Sequence, residues 1–299
     1  MKIRVLKYFL AVAAEGSITR AAHFLKLTQP TLTRQLQELE DELGHKLLVR
    51  GKYRVSLTHE GMLLRIRAEE ILDLLEKTEA EFKTIGQAVS GEVNIGCGES
   101  CVMLGVAKII QEIRKQHPHI RFNLYTGNFE DVIEKLDQGI LDFGVIIQPA
   151  EIAKYANLCL PERDVWGVIL RRDSPLAAKS GITLKDLTGV PLIQTRKAAI
   201  FRGRDNDFIS WFGPELDRLN VVATYNLIFN AALMVEAGIG CALSLDKLIT
   251  LPNDGPLCFR PLQPRLESEV DLVWQHSRVL SEAAQIFLDR VKSSLAGSA

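Results

Sequence analysis

Between Ser17 and Gln37 the chain gathers side chains able to touch a nucleic acid: Ser17, Thr28, Gln29, Pro30, Thr31, Thr33, Arg34 and Gln37. Their amide, hydroxyl and guanidinium groups are the types that hydrogen-bond base edges in a major groove. Arg50, Lys52 and Arg54 form a second set. Their charge suits phosphate contacts, which fix register without specifying sequence. Nothing comparable points to catalysis. The sequence has no Gly-rich phosphate loop, nucleophile elbow or His-Glu metal motif. His117 and His119 flank Pro118, but no Cys or carboxylate spacing completes a metal site. We therefore expect no catalytic residue, no metal and no cofactor.

The elements that must position the first set are legible. Leu32, Leu36, Leu39 and Leu43 recur at helical steps of four, three and four, which predicts a narrow buried stripe. Pro30, Arg34, Gln37 and Asp41 fall opposite, with Thr31 and Thr33 on the flanks. Thr28 is placed to cap this helix and Gly44 to end it, while Pro30 is tolerated in the first turn. A shorter helix precedes it, with Ser17 as cap and Ala21, Ala22 and Leu25 inward. A turn at Lys26-Leu27 joins the two into a helix-turn-helix, the alternative being a helical hairpin of some other α-rich domain. Leu6, Phe9, Leu10 and Ala13 give a first helix its apolar face. Residues 47–50 and 54–57 read as a small hairpin, a wing carrying the second basic set.

Thr58 is placed to cap a long helix reaching roughly to Gln87. Leu64, Ala68, Ile71, Leu75, Thr78, Phe82 and Ile85 recur at alternating steps of four and three, the repeat of a coiled-coil seam. The stripe could pack on its own chain, but on so polar a helix it predicts dimerisation. Two copies of the reading helix would then address an inverted repeat.

After residues 86–91 the periodicity changes. Strand patterns at 92–96, 120–125, 141–147, 166–170, 191–194, 221–224 and 269–274 alternate with helical ones at 103–116, 129–138, 184–187 and 228–237. A terminal helix follows at 283–295, with Ile286, Phe287 and Val291 inward. That alternation predicts parallel strands in an α/β layer. The 299 residues suffice for two domains or more. Net charge is −1, yet residues 1–60 hold 10 Lys+Arg against 6 Asp+Glu, a basic unit on an acidic body. No apolar run has the form of a signal peptide or a membrane span, and five irregularly spaced cysteines suggest no disulfide framework, so a cytoplasmic location is expected.

These residues resemble the LysR-type transcriptional regulators. The resemblance is carried by Phe9, Ala21-Ala22, Leu25, Thr28-Gln29-Pro30, Leu32, Arg34, Leu39-Glu40, Leu43-Gly44, Leu47, Arg50, Leu57-Thr58 and Gly61, spaced without gaps. It extends through 91–96, 136–142, 187–193 and 235–240. Thr33 stands where the family usually has Ser, and Leu48 where Phe is common. The resemblance implies an N-terminal winged helix-turn-helix, mostly α, at 1–58 and a linker helix at 59–88. An α/β effector domain at 91–299 would follow, built of two Rossmann-like subdomains as in type 2 periplasmic binding proteins. Subdomain one would be about 91–161 with 268–299, subdomain two about 162–267, and the effector would lie between them. It also implies a dimer of dimers, double-stranded DNA with an interrupted inverted repeat as partner, and RNA polymerase as a further candidate partner.

Ligands of α/β sheets sit at carboxyl ends of strands beside helix N-termini. That rule and the resemblance place effector contacts at Ser100, Cys101, Thr126, Asn128, Thr195, Arg196, Phe201, Arg202, Tyr225 and Asn226. Four cations between Arg196 and Arg204 predict an anionic small molecule. A thiol-based redox sensor using Cys97 and Cys101 is the alternative. An enzyme with an accessory DNA-binding domain is the remote one, and no catalytic constellation supports it.

Overall fold

The computed structural model describes residues 1–51, 55–84, 89–196 and 207–296. It divides into two compact units, Met1–Ile85 and Gly86–Ala299.

The first unit opens with α1 (Ile3–Glu15), α2 (Ile18–Phe24) and α3 (Gln29–Leu43). Gly16 and Gly44, both left-handed, end α1 and α3. Ser17 Oγ accepts from Arg20 N, and Thr28 Oγ1 from Thr31 N, each at 3.4 Å. Lys26, at φ 55, makes the turn between α2 and α3. Phe9, Val12, Ala21, Leu32, Leu36 and Leu39 form the core. Two expectations are corrected. Val5 and Val12 are buried in α1 with Leu6 and Phe9, whereas Leu10 and Ala13 are only half-buried. The helix is apolar nearly all round from Val5 to Ala13, so periodicity could not centre its face. Leu43 is 38% exposed, because it ends α3 beyond the packed stripe.

Strands β1 (Leu48–Arg50) and β2 (Val55–Leu57) pair antiparallel, Leu48 opposite Leu57. Buried Glu40 of α3 ties this hairpin down: its carboxylate accepts from Leu47 N at 2.9 Å, Leu48 N at 3.2 Å and Lys46 Nζ at 2.9 Å. Helix α4 (His59–Thr84) follows, with Thr58 Oγ1 accepting from Gly61 N at 2.9 Å. Gly61 is required by close approach, since a Cβ there would lie 2.1 Å from Leu47 O. Of the expected seam, Leu64 packs on the core and Ala68 is buried, while Ile71 and Thr78 are exposed and Leu75 is half-buried. The side chain of Phe82 and all of Ile85 lie outside the described residues.

The second unit holds two sheets. The first has the order β4-β3-β5-β13-β6, from β3 (Gly91–Cys97), β4 (Ile120–Thr126), β5 (Phe143–Ile147), β6 (Tyr155–Cys159) and β13 (Val270–Gln275). The second has the order β11-β7-β10-β8-β9, from β7 (Asp164–Arg171), β8 (Leu192–Thr195), β9 (Val221–Tyr225), β10 (Cys241–Leu245) and β11 (Leu257–Pro261), with β12 (Glu267–Ser268) on β7. Helices α5 (Met103–Gln116), α6 (Phe129–Asp137), α7 (Leu184–Leu187), α8 (Asp207–Phe212), α9 (Ile228–Glu236) and α10 (Glu282–Ala296) complete it. Phe287 of α10 is buried against Phe143, ring centroids 5.0 Å apart.

The expectation of parallel strands holds for β3 with β4 and β5, and for β8 with β9 and β10. It fails for β13 with β5 and β6, and for β7 with β10 and β11. The chain leaves the first sheet after β6 and returns only at β13. Strands that arrive from the other sheet need no helical crossover, so nothing imposes the parallel direction.

Candidate functional site

On α3, Thr28, Gln29, Pro30, Thr31, Arg34 and Gln37 are all exposed. The hydroxyls of Thr28 and Thr31 share a hydrogen bond of 2.8 Å, which fixes both at the helix start. Arg34 pairs with Glu38 at 3.5 Å, but both side chains are mostly exposed, so the guanidinium gives up little in moving to another acceptor. Ser17 is half-buried and spent on its cap. Thr33 is corrected. Its Oγ1 is buried without a hydrogen-bond partner, because residue 33 lies close beside the Leu32–Leu36 stripe. In the wing, the Arg50 side chain, Lys52 and Arg54 lie outside the described residues.

In the second unit a cavity of about 370 Å³ opens between loops of the two sheets. Gly98, Glu99, Gly127 and Asn128 line it from the first sheet. Thr195, Arg196, Tyr225, Asn226 and Leu227 line it from the second, and Ile147, Trp166, Leu245 and Leu248 give it apolar walls. So the structure brings together five of the expected residues: Asn128, Thr195, Arg196, Tyr225 and Asn226. Asn128 also caps α6, with Asp131 Oδ2 accepting from its N–H at 3.1 Å. The Tyr225 hydroxyl donates to Leu243 O at 2.8 Å, leaving its ring to the cavity. Phe201 and Arg202 lie outside the described residues.

Ser100, Cys101 and Thr126 do not line this cavity. Ser100 Oγ accepts from Val102 N at 3.0 Å, closing the turn into α5. Thr126 turns toward Cys97, Oγ1 to Sγ 3.9 Å, at the paired ends of β3 and β4. Cys101 N donates to Asp164 Oδ1 at 3.1 Å. Burial, then the carboxylates of Asp164 and Asp246, push its thiol up to about 12. Burial also pushes the Cys97 thiol up. Both shifts run against the low-pKa thiol that the redox alternative requires.

Glu99 stands in the loop after β3, where the strand-end rule points, but it is not among the expected contact residues. Its Oε2 accepts from Ile228 N at 2.6 Å, joining the loop after β3 to the start of α9, 129 residues away. Burial pushes its pKa up, with that bond acting against the rise. The one available signal was Leu227, an N-cap position with no capping side chain. It leaves α9 short of an acceptor without saying which residue supplies one. Among the described residues, no helix is long and apolar enough to cross a membrane.

Comparison with known proteins matches residues 3–62 to the model of the bacterial regulatory helix-turn-helix proteins of the lysR family. Residues 86–296 match the LysR substrate binding domain. The chain is 30% identical to the HTH-type transcriptional regulator YvbU of Bacillus subtilis (strain 168), covering 98% of each chain. It is 29% identical to the HTH-type transcriptional regulator BudR of Raoultella terrigena, over 96% of this chain and 100% of BudR. Its fold matches full-length CbnR complexed with target DNA at a TM-score of 0.75 and 21% identity, covering 98% of this chain and 100% of CbnR. An exposed reading helix in the first unit, a ligand-sized cavity in the second and family matches over both lead to one conclusion: the chain belongs to the LysR family and is a DNA-binding transcriptional regulator with a LysR substrate-binding domain.

Proposed function

We propose that a small molecule held between the two sheets controls how paired copies of α3 engage an interrupted inverted repeat. The observation that carries this reading is the cavity lined from both sheets, with Arg196 at its edge to meet an anionic group of the effector. A ligand that contacts both sheets binds one of their arrangements better than another. That differential affinity is all it has for shifting the equilibrium. Thr28, Gln29, Thr31, Arg34 and Gln37 read bases, and Arg50, Lys52 and Arg54 meet phosphates. The protein works in the cytoplasm as a regulator without turnover chemistry.

Self-association belongs to the same proposal. Helix α4 exposes Met62, Leu63, Ile66, Ile71 and Leu74, an apolar load that self-association would cover. Dimers joined along α4, paired again into a tetramer, would set the spacing between reading helices. Two experiments test the reading. Sedimentation of the full chain and of Leu74→Glu should give an oligomer and a smaller species respectively, and a monomeric wild type would refute it. Asn226→Ala should lose affinity for any small molecule that binds the wild type, and unchanged affinity would place the site elsewhere.

A further inference from the structure

The N-terminus of α9 would ordinarily suit an anionic ligand, because unpaired N–H groups and the helix dipole meet there. In this chain the place is taken. Glu99 Oε2 accepts from Ile228 N at 2.6 Å, so the helix already holds a carboxylate of its own. A ligand carboxylate at the same place would have to displace Glu99 or sit against a like charge.

The other oxygen of Glu99 has no hydrogen bond among the described residues, although Glu99 is half-buried and lines the cavity. The same cavity is lined by Trp166, Ile147, Leu245 and Leu248, which offer little or no hydrogen bonding, and by the polar Asn128, Thr195 and Asn226. A ligand that fills the cavity takes that oxygen from water, which is costly unless a donor replaces the water, and a charged donor recovers most. A ligand that brings a charged donor of its own meets that need best. Arg196, also lining the cavity, asks for the opposite charge. At about 370 Å³ the space lies at the small end of the range for ligand pockets, roughly 300–1,000 Å³, and admits a metabolite.

Accepting the cavity as the effector site, as proposed above, we infer that Glu99 sets the effector's class. The ligand carries a protonated amine against Oε1 of Glu99 and a carboxylate toward Arg196, and is an amino acid or a close analogue. Glu99 is thus a specificity-determining residue, holding α9 with one oxygen and selecting the ligand with the other.

Matched sets test this on the full chain by calorimetry: each common amino acid, the same acid lacking the amine, and the same amine lacking the carboxylate. At least one amino acid should bind, and its amine-free acid should bind weaker by on the order of 30-fold, the loss typical of one partner in a desolvated charge pair. Glu99→Gln keeps an acceptor for Ile228 N but removes the charge. It should erase most of that preference, with its melting curve reporting that the fold is intact. An amine-free acid that binds as tightly as its parent, or an amino acid that binds Glu99→Gln unchanged, overturns the assignment. If such an acid also loses affinity in Asn226→Ala, the cavity stands as the effector site and the role of Glu99 alone falls. Binding by no member of any set overturns the amino-acid assignment as well.

Discussion

Replacing Glu40 by alanine is the sharpest structural test of how α3 is held against the wing. Its carboxylate is 4% exposed and accepts from the N–H groups of Leu47 and Leu48, residues themselves buried. Alanine leaves both N–H groups buried without an acceptor, at about 1–3 kcal/mol each. The bond to Lys46 adds little, because that ammonium is mostly in water. The expected cost is therefore about 2–6 kcal/mol, a large share of the roughly 5–15 kcal/mol that stabilises a domain. The effect also depends on pH. Burial raises the Glu40 pKa, but Lys46 and the two N–H groups outweigh it and hold the carboxyl below its ordinary range. A depressed folded pKa gives stability that is present above the unfolded value of about 4.3 and lost as pH falls through the folded one. Urea melts of the wild type and Glu40→Ala at pH 7 and at successive steps down to pH 3 should therefore converge as the pH drops. Amide exchange should be faster at Leu47 and Leu48 in the variant. A loss under about 0.5 kcal/mol at neutral pH, the level of an ordinary surface change, would refute the reasoning. So would a gap between the two proteins that does not shrink with acid.

Gly61→Ala should destabilise the same unit by several kcal/mol, since its Cβ would meet the Leu47 carbonyl oxygen at 2.1 Å and neither backbone can yield freely. A thermal midpoint equal to wild type would contradict this. Arg34→Ala should relax base preference in competition binding by about 1–3 kcal/mol at one position, while Lys52→Ala should weaken all sequences alike and lower the salt slope by about one. Equal salt slopes would count against the wing's role. Cys101, with its thiol pushed up to about 12, should be alkylated at pH 8 far more slowly than exposed Cys159. Peptide mapping that finds Cys101 modified first would reopen the redox alternative.

What the sequence made legible was mostly local. The Thr28 cap, the Leu32–Leu36–Leu39 stripe and the Gly44 stop each depend on neighbours within a turn or two, and the structure has all three. The spans Met103–Gln116 and Leu184–Leu187 were read at their observed limits for the same reason. Strands β6, β10 and β11 were passed over. They are short runs of five residues, and short apolar runs carry little periodic signal. Long-range acceptors were beyond reach. Nothing in the spacing tells which backbone N–H groups Glu40 and Glu99 accept from, until the fold sets one beside Leu47 and the other beside Ile228. The candidate cavity divides along the same line. Loops at strand ends could be located by rule, and Asn128, Thr195, Arg196, Tyr225 and Asn226 are there. Ser100, Cys101 and Thr126 do not line it, because the direction of a loop side chain depends on partners such as Val102 N and Asp164. No rule of spacing predicts those.

The central claim is that a molecule in the cavity between the sheets changes how paired reading helices sit on DNA. Footprinting tests it most directly, using the full chain on sequences selected for binding, with and without a compound shown by calorimetry to bind. The account predicts protection over an interrupted inverted repeat, a change in its length or internal cleavage pattern when the compound is added, and no change in Asn226→Ala. Protection of a single half-site, or the same footprint with the cavity filled and empty, would contradict it.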